Sequence, residues 1–113
     1  NGYLVHLKNV ESYTNNDTTI IYFEVKNIGN DIVEFRCESV IVDIRGNQYP
    51  GVCSISFNEL YPGAVNDFRV TYNQRFIKNE ELKVTVRLYI PEILQIGDKE
   101  YRPETLFDFY YKT

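Results

Sequence analysis

Two cysteines, Cys37 and Cys53, and a lone histidine, His6, are the most reactive side chains of this 113-residue chain. A thiol beside an imidazole can act as a nucleophile with its base, whereas two opposed thiols form a cross-link. The spacing favours the cross-link. Asp43-Ile44-Arg45-Gly46 suits a type I turn followed by a left-handed glycine, since Asp serves the first position and glycine alone enters positive φ cheaply. If Asp43 then faces Asn47, Ile41 faces Tyr49 and Cys37 faces Cys53. Directly opposed antiparallel residues have Cα atoms about 4.5–5.5 Å apart, inside the range that a disulfide accepts. Pro50-Gly51 opposes this expectation, because a bulge there would shift the pairing. The alternative is two buried free thiols on a face shared with Phe35, Ile41, Tyr49, Ile55 and Phe57, where cysteine packs as a small hydrophobe. A bridge would imply an oxidising compartment.

Other chemistry finds little support. None of Ser12, Ser39, Ser54 and Ser56 lies in a Gly-x-Ser-x-Gly elbow, and the chain has no glycine-rich phosphate loop and no Cys/His metal spacing. Asn30, Asp31 and Glu34, or Asn58 and Glu59, offer oxygen ligands for calcium, but turn formation accounts for them without a metal. No catalytic residue, metal or cofactor is therefore expected. Asn16-Asp17-Thr18 is a glycosylation sequon at an expected turn, which makes Asn16 an acceptor if the chain meets the secretory machinery.

Sixteen acidic residues against twelve Lys and Arg leave a net charge of −4. That balance opposes binding to nucleic acid or to an anionic membrane surface. No apolar run reaches the ~18 residues of a membrane span. Because the chain begins Asn1-Gly2-Tyr3 rather than with Met, a signal peptide, membrane anchor or neighbouring domain is expected before it, and membrane contact is expected only through such an anchor.

The elements that must position these residues read as strands. Ten Tyr and seven Phe with no Trp or Met tilt the composition towards β structure. Period-two alternation marks seven strands: A (3–13), B (18–27), C (32–43), C′ (48–57), E (65–72), F (82–90) and G (106–111). F alternates most regularly, with Leu82, Val84, Val86, Leu88 and Ile90 on one face. The stretch 91–105 is long for a hairpin link, and Gly97-Asp98 suggests a small extra hairpin within it. Sheets with one apolar face must pack it against another sheet, so the expected fold is all-β: one immunoglobulin-like antiparallel sandwich over residues 1–113, with A, B and E against C′, C, F and G.

The same register turns Val40, Val42 and Ile44 outward beside Tyr89, Leu106 and Tyr110. An outer face so rich in β-branched and aromatic side chains is expected to be a protein-binding or dimer surface, unless the segment between F and G folds over it. Two other functions compete: a small-ligand or carbohydrate binder using Tyr61 and Tyr101, and a cytoplasmic structural domain with free thiols.

The order Val25-Lys26-Asn27-Ile28-Gly29-Asn30, then Val42-Asp43-Ile44-Arg45-Gly46-Asn47-Gln48-Tyr49, then Glu59-Leu60-Tyr61-Pro62-Gly63 resembles the telokin-like and immunoglobulin-like extracellular domains of bacterial and archaeal surface proteins. Archaeal surface-filament components, including the soluble domains of archaellum accessory proteins, are similar. The resemblance covers about half the chain, strands B through E, and rests on turn chemistry. It implies a secreted, periplasmic or surface-anchored module without enzymatic activity, and it transfers no functional residue.

Overall fold

Strict alternation gives each long strand one face that must leave water, and the way these faces are buried together sets the architecture. The computed structural model describes residues 3–13, 15–74, 76, 81–89, 94–96, 99–101 and 104–112; the side chains of 89, 94–96, 99–101 and 104–106 lie outside the described set. The strands are β1 (Tyr3–Tyr13), β2 (Thr18–Asn27), β3 (Val33–Glu34), β4 (Arg36–Asp43), β5 (Gln48–Ser54), β6 (Glu59–Leu60), β7 (Val65–Tyr72), β8 (Glu81–Tyr89), β9 (Leu94–Ile96), β10 (Lys99–Tyr101) and β11 (Glu104–Lys112).

Seven of them form one antiparallel sheet in the order β1-β2-β7-β5-β4-β8-β11, while β3 pairs with β6 and β9 with β10. The all-β antiparallel sandwich of the sequence analysis is present. The two expected sheets, however, are joined. β5 pairs with β4 from Gln48 to Gly51 and with β7 from Gly51 to Ser54, so its first half belongs to one layer and its second half to the other. The sheet then rolls until its ends face each other, and Phe23 of β2 lies 5.5 Å from Phe109 of β11.

Ile21, Phe23 and Val25 of β2, Phe68 and Val70 of β7, and Leu82, Val84, Val86 and Leu88 of β8 fill the interior. Rings mesh at its centre, with Phe23–Phe68 centroids 5.1 Å apart and Phe35–Phe68 centroids 5.2 Å apart. Each such side chain contributes about 1.5–3 kcal/mol through burial, so this cluster is the main stabilising term. Two outcomes differ from the period-two pattern. The expected strand over 32–43 is broken at Phe35, whose backbone N–H donates to the Asn58 carbonyl (2.9 Å) instead of to a sheet neighbour. Ile55, expected inside, is partly exposed because β5 ends at Ser54.

Gly51 sits at the handover. A Cβ there would lie 2.4 Å from Val70 Cγ1 and 2.5 Å from Tyr72 Cε1. Gly51 pairs with Ser39 on one side and Tyr72 on the other, so these three residues stand in one row on the inner face. The Tyr72 ring crosses the bare glycine and its hydroxyl hydrogen-bonds Ser39 Oγ on the next strand but one. Ser39 Oγ also donates to the Thr85 carbonyl (2.9 Å). Burial pushes the Tyr72 phenol up to about 12, against a lowering from the Ser39 bond. Both layers are thereby tied where the backbone changes partner.

Candidate interaction surface

The turn that orients the candidate face is built on Asp43. The Gly46 N–H donates to the Asp43 carbonyl (3.0 Å), and Gly46 has φ +86°, a conformation natural to glycine. The side chain of Asp43 is buried. Its Oδ1 accepts from the Arg45 and Asn47 N–H groups (3.0 and 2.9 Å), and its Oδ2 accepts from Asn47 Nδ2 and Tyr49 Oη (3.0 and 3.1 Å). The Arg45 guanidinium is 3.5 Å away. Burial alone would push this carboxyl up, but these hydrogen bonds favour the ionised form more strongly and hold the pKa at about 2.

A group depressed in the folded state supports folding above its unfolded pKa and loses that support as the pH falls through the folded value. Wild-type protein is therefore expected to lose melting temperature relative to Asp43→Asn between the ordinary value of 3.8 and about 2. Paired thermal melts across that interval would check this. A constant difference between the two proteins would mean that the Asp43 charge does not hold the turn.

The turn sets Ile41 opposite Tyr49, and the ladder runs unshifted from Val42↔Gln48 to Ser39↔Gly51. Cys37 and Cys53 lie just beyond its end, where β5 leaves β4 for β7. Their sulfurs are joined, with Cα atoms 6.2 Å apart. Pro50-Gly51 introduces no bulge into this ladder; Gly51 is where the partner changes. His6 lies far from this chemistry, exposed on β1 opposite Glu24. Among the described residues, no three His, Cys, Asp or Glu side chains gather as a metal site. Asn16 is exposed in the β1–β2 turn.

On the outer side of β4, β8 and β11, Val40 and Val42 are half-buried, while Ile44 and Tyr110 are 75% and 81% exposed. The ladders align Val42 with Lys83 and Lys83 with Tyr110, so these residues form one row across three strands. Val42, Ile44, Lys83, Tyr110 and Lys112 line a depression of about 420 Å³. Charged Glu81 lines it as well, with Lys83 and Lys112; Lys83 lies 3.7 Å from Asp108, which accepts a 2.7 Å hydrogen bond from Thr85, and farther along the same face Arg87 lies 3.7 Å from Glu38. The side chains of Tyr89 and Leu106, expected on this face, are outside the described residues. The opposite outer face differs. There Lys8 pairs with Asp67 (3.2 Å), Glu11 accepts from Tyr13 and Tyr22, and the exposed Leu4 and Val65 flank Lys26.

A second exposed apolar group, of which the sequence analysis singled out only Tyr61, lies at the end of the sandwich where β2 stops. Asn27 is buried, and its Nδ2 donates to the carbonyls of Asp31 (2.8 Å) and Leu60 (2.9 Å), tying two loops together. These loops carry Ile28, Ile32 and Tyr61, each more than half exposed. The available signal was two isoleucines flanking the turn formers Gly29-Asn30-Asp31, but the expected strand from Ile32 concealed it; the strand begins only at Val33.

The strand order and ladders define an all-β antiparallel sandwich whose seven-stranded sheet nearly closes on itself. Among solved structures, the chain is similar to a DUF4426 family protein from Pseudomonas aeruginosa PAO1, with a TM-score of 0.61 and 18% identity over 98% of this chain and 89% of that one. It is also similar to the archaellum periplasmic stator protein FlaG from Sulfolobus acidocaldarius, with a TM-score of 0.49 and 14% identity over 93% of this chain and 99% of that one. No family model and no curated protein matches the chain. At these identities, the first likeness is one of fold.

Proposed function

We propose that this domain is a non-catalytic, extracytoplasmic interaction or scaffold module of the immunoglobulin-like kind, working at a cell surface or in a surface filament, that binds a protein through the outer face of β4, β8 and β11. The observation that carries this is the row of Val42, Lys83 and Tyr110 with Ile44 beside it. Large apolar side chains there surround a depression and have charged residues at their rim, the composition of a protein-binding patch. The Cys37–Cys53 bridge supports an oxidising location, because such bonds are kept reduced in most cytoplasms. It also disfavours a cytoplasmic domain with free thiols.

The test uses the protein in its native cells with a photo-crosslinking side chain at Ile44, and at Arg69 on the opposite outer face as control. Cross-links to protein from position 44, absent from position 69, together with labelling of intact cells by a membrane-impermeant amine reagent, are expected. Equal cross-linking from both faces would remove the assigned face, and labelling only after lysis would remove the location.

A further inference from the structure

The sheet has two open edges, and the chain treats them differently. A free strand edge presents unpaired N–H and C=O groups and invites another strand unless a bulge, a proline or a charge directed inward blunts it. β1 is blunted: its ladder with β2 shifts register between Leu7 and Asn9, and Lys8, in the irregularity, reaches Asp67. β11 is not. Its nine residues contain no proline, its ladder with β8 runs from Glu104 to Lys112 without a shift, and no described strand pairs with its other side. Phe107, Phe109 and Tyr111 point inward but stay only half-buried at this rim, and Tyr110 projects from the outer face.

We propose that β11 pairs antiparallel with β11 of a second copy about a two-fold axis through Tyr110, continuing the sheet across the dimer. This deepens the assignment of the domain as an interaction module, and rests on it, by naming one partner. Charge and ring complementarity select the register. With Tyr110 on the axis, Asp108 stands opposite Lys112 of the other copy, twice by symmetry, and Phe109 stands opposite the second copy's Tyr111 on the inner face. Opposite charges and aromatic pairs placed directly across strands are each stabilising, and like charges in that position are destabilising. With Asp108 on the axis the ladder would be longer, but two carboxylates would then face each other. With Lys112 on the axis, two ammonium groups would. A slip of one residue would set inner side chains against outer ones. The arrangement is isologous, so it closes at two copies; it pairs Asp108 to Lys112 of each β11 and leaves the stretch from Glu104 to Leu106 unpaired on that edge. The Asp108 carboxylate has acceptor capacity for a further donor besides Thr85 and Lys83.

The test is sedimentation velocity on the purified, oxidised protein over a range of concentrations. Wild type is expected to show a concentration-dependent, salt-weakened dimer. Asp108→Lys alone sets Lys against Lys112 across the interface, and Lys112→Asp alone sets Asp against Asp108, so each is expected to sediment as a monomer. Mixed, the two variants present complementary pairs at both positions and are expected to form a one-to-one heterodimer. Circular dichroism melts would show that each variant is folded. Asp108→Asn, the milder change, is expected to weaken the dimer in any case.

A wild-type monomer at every concentration, single variants that still dimerise, or a mixture that stays monomeric would overturn the pairing. So would an Asp108→Asn dimer tighter than wild type, which would place Asp108 on the axis. A monomeric wild type that nonetheless cross-links from position 44 in cells would leave the interaction module standing with a different partner.

Discussion

Gly51→Ala is expected to destabilise the fold by about 3 kcal/mol, at the upper end of what an added methyl costs in a packed interior, and to lower the melting temperature by about 10 °C. The reason is the handover in β5. The new methyl would sit at 2.4 Å from a Val70 methyl and 2.5 Å from the Tyr72 ring, both on β7 and both buried. Neither neighbour is the loose end of a flexible side chain. To admit the methyl, the Tyr72 ring must move off the strand, and its hydroxyl must then give up the Ser39 bond that spans β5. Denaturant titration would measure the loss. Combining Gly51→Ala with Val70→Ala should cost less than the two changes separately, because the second removes one of the two obstructions. A Gly51→Ala protein within about 0.5 kcal/mol of wild type, the range of an indifferent surface change, would show that the row around Gly51 adapts freely.

The second large effect concerns the bridge at the end of the same ladder. Cys37 and Cys53 are sixteen residues apart in sequence, and closing a loop of that size stabilises by about 3 kcal/mol through the entropy it removes from the unfolded chain. Replacing both with Ala is therefore expected to lower the melting temperature by about 10 °C, as is reduction of the wild type. The loss should also be local in character. Beyond Gly51, β4 and β5 share no ladder, so without the bridge only the pairing of β5 with β7 and the surrounding core hold the segment around Cys53. Hydrogen exchange should accelerate first at Val52, Cys53 and Ser54. If the Ala variant matched wild type in both stability and exchange, the hairpin would already be formed in the unfolded chain and the bridge would add little.

The bounds of β2 and β7 were legible because each is an uninterrupted alternation, and those of β1 despite its break at Lys8-Asn9, because turn formers close them: Asn15-Asn16-Asp17 before β2, Gly29-Asn30-Asp31 after it, and Tyr61-Pro62-Gly63 before β7. The Asp43–Gly46 turn was legible for a different reason, since four residues there determine a backbone shape and therefore a register. The continuity of the sheet was not. Nothing in Gln48–Ser54 states that its two halves have different partners; that depends on Tyr72, a residue about twenty positions later, lying across Gly51. A glycine within a strand signals either a bulge or a close approach, and only the packed structure distinguishes them. The outer face was legible as an excess of apolar side chains at positions 40, 42, 44 and 110. The open edge of β11 was not, because strand order is a property of the whole sheet. The small hairpin expected around Gly97-Asp98 does form between β9 and β10, although those two residues lie outside the described set.

Tyr3 at the start of β1 lies by Asn27, at one end of the sandwich, and Lys112 at the close of β11 lies opposite Glu81, towards the Asp43 turn at the other. Tension applied between these two points would run along the strands and at right angles to the hydrogen bonds of the two outermost ladders. Ten paired positions between β1 and β2, and nine between β8 and β11, would then carry the load together instead of parting one by one. Pulled between these two points, the domain is arranged as a shear clamp, and the Cys37–Cys53 bridge reinforces the shorter β4–β5 ladder through which the same load must pass.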